Sequence, residues 1–301
     1  PMQNELLWVY EGQTEYWAWV LATRAGLYTP PQAREVLAAN AALFEHRVGR
    51  GWRDLQDTVY QGIIDFNDAP QAWPNWQRGY DFYDEGTLLW LDVDMTLREL
   101  SRDKRSLDDF ARGFFGAGTS TGKVGVQTYD FDTVVAALQA VQAHGWADFL
   151  RARIDSHGPG APLQGLERAG WALVYSDIPN AAIADMEGDQ QLDDFSYSLG
   201  LKIASEGDRI NEVLWESPAF RAGLAKDMQV VAIDGMAYNA DRLKRALVAA
   251  QSSKAPIEML VRQGDTFRTL SLDYHAGLRY PHLQRIESAP DRLTRLLAPR
   301  K

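Results

Sequence analysis

The sequence predicts a multidomain protein: a mainly α-helical region over residues 1–178, an acidic linker over 179–194, a small β-rich domain over 195–275 and a helical tail over 276–301. Two observations carry this prediction. Before residue 176 the apolar residues recur at helical spacing between capping residues, and after residue 195 they gather in short strand-like runs separated by turns. Between the two lies a stretch rich in Asp and Glu with Pro179, the composition of a boundary.

At 301 residues, 46% of them hydrophobic, the chain can bury a substantial core. No apolar run approaches the ~18 residues that a membrane helix needs. The formal charge of −10 opposes nucleic acid as a partner, because a phosphate backbone requires a basic footprint. With no cysteine there is no disulfide, thiolate metal site or cysteine nucleophile, although the compartment is not fixed by that. Ten tryptophans fit large core side chains, with aromatic-lined clefts as the other reading.

The first helix is expected over about 5–24, ending at Gly26, with Pro30 and Pro31 opening a second that runs to about 48. Glu11 and Glu15 share one face of the first helix, near Trp8, Val9 and Tyr16. Its residues leave Glu11 open between a first-turn glutamate favoured by the helix dipole and a carboxylate bound to a cation. A motif at the opening of the chain suggests the later part of a longer polypeptide, with Pro1 as a true terminus the alternative. Next come Gly49, Arg50 and Trp52, then an irregular aromatic stretch through Phe66, Trp73 and Trp76. Tyr80 to Gly86 leads into an apolar helix expected over 87–100, on which Asp94 and Arg98 are spaced to pair. Helices are further expected over 106–115, 130–143 and 146–154, and a short helix leading into a strand over 163–175. The run Gly118 to Lys123 lacks the spacing of a phosphate loop.

In order, these motifs resemble the glycyl aminopeptidase family of gluzincin zinc metallopeptidases. Glu11, Gly12, Thr14 and Tyr16 match E-G-x-[AT]-x-Y, Tyr83 and Gly86 match Y-x-x-G, and Leu91 to Arg98 resembles the L-D-x-x-[IL]-R that follows. The resemblance implies a thermolysin-like catalytic domain in which Glu11 is the third zinc ligand and Tyr83 donates to the oxyanion. Glu15 then acts behind the ligand or on the substrate amine. The other two ligands belong to an H-E-x-x-H helix, and no such motif occurs here. His46, His144, His157, His275 and His282 are scattered, so zinc is expected in a complete parent protein and not bound tightly to this chain.

In the second region, strands are expected over 198–204, 209–213, 229–233, 257–262 and 266–272. Ser217 to Leu224 followed by Asp234-Gly235 resembles a PDZ domain of the protease-associated type. That resemblance implies a peptide C-terminus held at the loop Ser198, Leu199, Gly200, Leu201, against a helix presenting Leu243 and Leu247. The groove closed by a neighbouring domain or the tail is the alternative. The tail carries six basic residues against two acidic ones, with Leu293, Leu296 and Leu297 on the inner side of a docking helix. The expected function is thus the C-terminal portion of a zinc aminopeptidase acting on peptide N-termini, inactive without H-E-x-x-H. The alternative is a non-catalytic peptide-binding adaptor. By family resemblance alone, the location leans to the bacterial periplasm or cell envelope.

Overall fold

A computed structural model describes residues 3–65, 73–116 and 128–299. Phe66, the glycine-rich run 118–123, Pro1 and the basic pair Arg300 and Lys301 lie outside the described residues.

The helical region comprises α1 (Leu7–Arg24), α2 (Pro30–Glu45), α3 (Leu55–Asp65), α4 (Pro74–Gln77), α5 (Asp84–Leu100), α6 (Leu107–Phe114), α7 (Phe131–Val141), α8 (Trp146–Ile154) and α9 (Gln164–Arg168), then β1 (Trp171–Ser176), and all of these but α4 contribute to the first hydrophobic core. Capping explains several starts. Thr29 and Gln32 form a capping box with Pro30 at the first helical position, and Asp130 accepts from the Thr133 N–H at 2.8 Å. Helix α5 is the centre: every residue from Glu85 to Arg98 is buried, including four charged ones. It begins three residues before the expected 87, because Tyr83 and the two acids after it already turn into the helix.

Charge at the centre of a core needs partners, and α5 has them. Asp94 receives Arg98 Nε at 2.9 Å, as the spacing predicts, and also the Tyr16 hydroxyl at 3.0 Å and the Leu107 N–H at 2.6 Å. Asp92 receives Arg153 Nε at 2.6 Å and Arg168. These two carboxylates therefore tie α5 to α1, α6, α8 and α9.

Residues 179–194 differ from the expected acidic loop. Asn180 caps a helix, α10 (Ala181–Gln190), by accepting from the Ile183 N–H, and its amide bonds to the Glu35 and Pro281 carbonyls. A short strand follows, β2 (Leu192–Asp194).

The second region comprises β3 (Leu201–Ala204), β4 (Ile210–Val213), α11 (Pro218–Arg221), β5 (Gln229–Ile233), β6 (Met236–Ala237), α12 (Ala240–Ser253), β7 (Ile257–Gln263) and β8 (Thr266–Leu272), and all of these but the exposed β6 contribute to the second core. One sheet has the order β2-β3-β4 and the other β6-β5-β7-β8. The expected strand over 198–204 starts only at Leu201, since Gly200 lies at φ +74° and turns the chain.

The tail is not wholly helical. Tyr280–Arg285 forms β9, antiparallel to β1 with Trp171 opposite Arg285, and only then comes α13 (Arg292–Leu297). Leu293, Leu296 and Leu297 are fully buried in the first core, on the inner side that their spacing assigns. The tail thus returns to the helical region, whose sheet pairs residues more than 100 positions apart.

Candidate active site

The site forms where α1 crosses α5. Three residues four apart on α1 meet three residues four apart on α5, so each set lines one helical face. Trp8 stacks on Trp90 with ring centroids 5.9 Å apart, Gly12 lies against Gly86, and Tyr16 reaches Asp94. A Cβ on Gly86 would stand 2.5 Å from Gly12 Cα, and one on Gly12 would stand 2.9 Å from Gly86 Cα. Main chain cannot yield as a flexible side chain does, so only glycine on both helices permits this approach. The two motif glycines are therefore a packing pair, and the residues beside them are brought together.

Those neighbours are Glu11, in the second turn of α1, and Tyr83, the residue before the first turn of α5. The Tyr83 phenol is pushed up to about 12 by burial first, then by a side-chain hydrogen bond to Glu11 and the charges of Glu11 and Glu15. Glu15 is itself raised by burial and by Asp84 and Glu11. Glu11, Glu15 and Asp84 thus concentrate negative charge beside one protonated hydroxyl. Because no acidic residue lies in the first turn of α1, the helix-dipole account of Glu11 does not apply.

A buried ionic frame that the linear pattern does not reveal flanks Tyr83 in the chain, at Asp81 and Glu85. Arg78 has no exposed surface; its guanidinium meets Asp81 at 2.7 Å, the Arg53 carbonyl at 2.6 Å and Glu85. Arg50, from the Gly-Arg-x-Trp loop, takes the other Glu85 oxygen and donates to the Gly160 carbonyl at 2.8 Å. A Cβ on Gly49 would stand 2.3 Å from the Trp76 carbonyl oxygen, so this loop also depends on close main-chain contact. Arg78 and Tyr80 lie in the left-handed region, at φ +56° each, a conformation costly for side-chain residues and held here by the frame. The sequence signal was four arginines (Arg47, Arg50, Arg53, Arg78) in an aromatic stretch, more cations than a solvated loop needs.

Glu11 is the sole expected metal ligand in the chain, and zinc requires at least three protein ligands. Among the described residues no group of three or more His, Asp or Glu side chains is arranged to hold a metal. The histidines are engaged elsewhere: His282 with Glu35 at 3.0 Å, His275 with Asp273 at 2.8 Å, and His46, whose imidazole burial lowers, among Tyr175 and Tyr197. These residues alone do not fit a zinc ion.

In the second region the loop expected to offer free N–H groups is internally occupied. The N–H groups of Ser198, Leu199 and Gly200 all donate to the Phe195 carbonyl, at 3.2, 2.9 and 3.0 Å. A Cβ on Gly200 would meet Ser217 Cβ at 2.2 Å. Leu201 is fully buried, and Leu243 and Leu247, expected on a groove wall, are fully buried within the second core.

Comparison with known proteins accords with this geometry. Residues 1–89, which contain Glu11, Gly12, Tyr83 and Gly86, match the family model for M61 glycyl aminopeptidase. The chain is similar in structure to an aminopeptidase N family protein from Idiomarina loihiensis, with a TM-score of 0.74 and 19% identity, over 98% of this chain and 49% of that one. It therefore spans about half the length of that protein. The HtrA3 PDZ domain bound to a phage-derived ligand aligns with 38% of this chain and 91% of its own, at 17% identity and a TM-score of 0.19, too low to assign a fold. No curated protein matches the sequence. The glycyl aminopeptidase resemblance carried by the two glycine motifs is thus shown over residues 1–89, and the chain shares its fold with about half of that aminopeptidase N family protein.

Proposed function

We propose that this chain is the C-terminal portion of a zinc aminopeptidase that hydrolyses residues from peptide N-termini. The observation that carries the reading is Glu11 facing Tyr83 across the Gly12–Gly86 contact. Glu11 supplies one zinc ligand, and the remaining protein ligands come from an H-E-x-x-H segment that this sequence does not contain. Tyr83 carries its proton at neutral pH, as an ordinary phenol does, and is therefore a hydrogen-bond donor. Such a donor stabilises the oxyanion that forms when an amide carbonyl is attacked. The cluster of Glu15 and Glu11 suits the positive charge of a free peptide N-terminus, and peptides are the partner class.

The chain alone is expected to hold no stoichiometric zinc and to show no aminopeptidase activity, read by elemental analysis and by release of an amino-terminal residue. Produced together with the H-E-x-x-H segment, Glu11→Gln is expected to lower zinc occupancy. Tyr83→Phe should keep the metal and lose about a hundredfold or more in turnover. Unchanged turnover in Tyr83→Phe removes the oxyanion role.

A further inference from the structure

The strand β2 sits in the second region as a bound peptide would. It pairs antiparallel with β3, with Leu192 opposite Ala204 and Asp194 opposite Lys202, while β4 pairs with the other edge of β3. Flanking bonds extend the ladder, from the Ser205 N–H to the Gln191 carbonyl and from the Phe195 N–H to the Leu201 carbonyl, both 2.8 Å. The segment ends on Phe195, whose side chain is buried in the second core. Its carbonyl oxygen is where the three N–H groups of Ser198, Leu199 and Gly200 converge. Two residues before it, Asp193 accepts the Tyr238 hydroxyl at 3.0 Å, just ahead of α12.

Each feature corresponds to one demand of capturing an extended C-terminus by strand addition: main-chain pairing along an edge, a pocket for the last side chain, and N–H donors for its oxygen. A convergence of three N–H groups on one neutral carbonyl is the arrangement that a carboxylate oxygen fills more strongly, because each bond becomes charge-assisted.

We propose that residues 192–195 are an internal ligand, filling a peptide-binding groove whose competing partner is a free C-terminus of the form apolar-acidic-acidic-aromatic. The internal strand closes the groove, and Tyr238 selects an acidic side chain at the third position from the end. A partner therefore binds by displacing β2 from β3, and its terminal carboxylate takes the place of the Phe195 carbonyl.

The test uses the full chain and a dye-labelled peptide ending Leu-Asp-Asp-Phe with a free carboxylate, followed by fluorescence anisotropy. Asp193→Ala removes the internal hold on Tyr238 while leaving Tyr238 for the peptide. A hydrogen bond to a charged group is worth about tenfold or more in such a competition, so the variant is expected to bind the peptide about tenfold more tightly than the wild type. An amidated peptide, or one with Ala at the third position from the end, should bind wild type and variant alike more weakly, and the gain over wild type should vanish in Asp193→Ala with Tyr238→Phe. If Asp193→Ala does not fold, Asp193→Asn should give a smaller gain of the same sign. Equal affinity of wild type and variant overturns the internal-ligand proposal, as does the absence of binding in both; tighter binding that ignores the carboxylate overturns the assigned role of the loop.

Discussion

Replacing Gly86 by alanine tests whether the glycine pair sets the site. The added methyl would stand 2.5 Å from Gly12 Cα, where an ordinary carbon–carbon contact is about 3.5–4.0 Å, so α1 and α5 must separate by about 1 Å. Overpacking of this kind costs about 1–3 kcal/mol. Alanine returns about 1 kcal/mol through helix propensity. The obstructing atom is main chain on a buried helix, which places the steric cost towards the upper end of that range, so a net loss of up to about 2 kcal/mol is expected. Gly113, late in α6, is the control: it is exposed with nothing within 4 Å of an added Cβ, so Gly113→Ala should stabilise by about 0.5–1 kcal/mol. Urea unfolding followed by tryptophan fluorescence reads both. In the proposed zinc-bearing assembly, a shift of about 1 Å between Glu11 and Tyr83 should further lower turnover by about a hundredfold. If Gly86→Ala proves as stable as Gly113→Ala, the glycines do not set the crossing.

Arg78→Met leaves the buried carboxylates of Asp81 and Glu85 short of a cation and should cost about 3 kcal/mol by the same unfolding assay. Arg112→Ala, which breaks an exposed pair with Asp109, should stay within about 0.5 kcal/mol. Glu15 binds its proton more tightly in the folded chain than in the unfolded one, where the reference value is 4.5. Its ionisation therefore lowers stability above the folded pKa, and that loss disappears as pH falls below the unfolded value. Glu15→Gln should accordingly raise the melting temperature at about pH 7 and leave it unchanged at about pH 3; a gain at both would show an effect other than charge.

Sequence alone identified α1, α2, α5 to α9, α12 and α13, because amphipathic spacing and helix-opening residues are local: Pro30 at the start of α2, the Asp94–Arg98 pair and the inward leucines of α13 all follow from neighbours within four residues, whereas α3 falls in the stretch expected to be irregular and α10 in the expected acidic linker. It also singled out Glu11 and Tyr83, since each stands in a short motif. What those motifs do to each other was decided by tertiary structure. Gly12 and Gly86 have meaning as a pair only once α1 and α5 cross, and the Arg50–Glu85–Arg78 frame joins residues up to 35 positions apart. Strand pairing is equally non-local. Local composition marks 192–194 as acidic linker and 280–285 as tail; only the open edges of β3 and β1 turn them into strands. The loop at Ser198 to Gly200 shows the same division, for its sequence specifies converging N–H groups, while the folded chain determines that Phe195 already fills them.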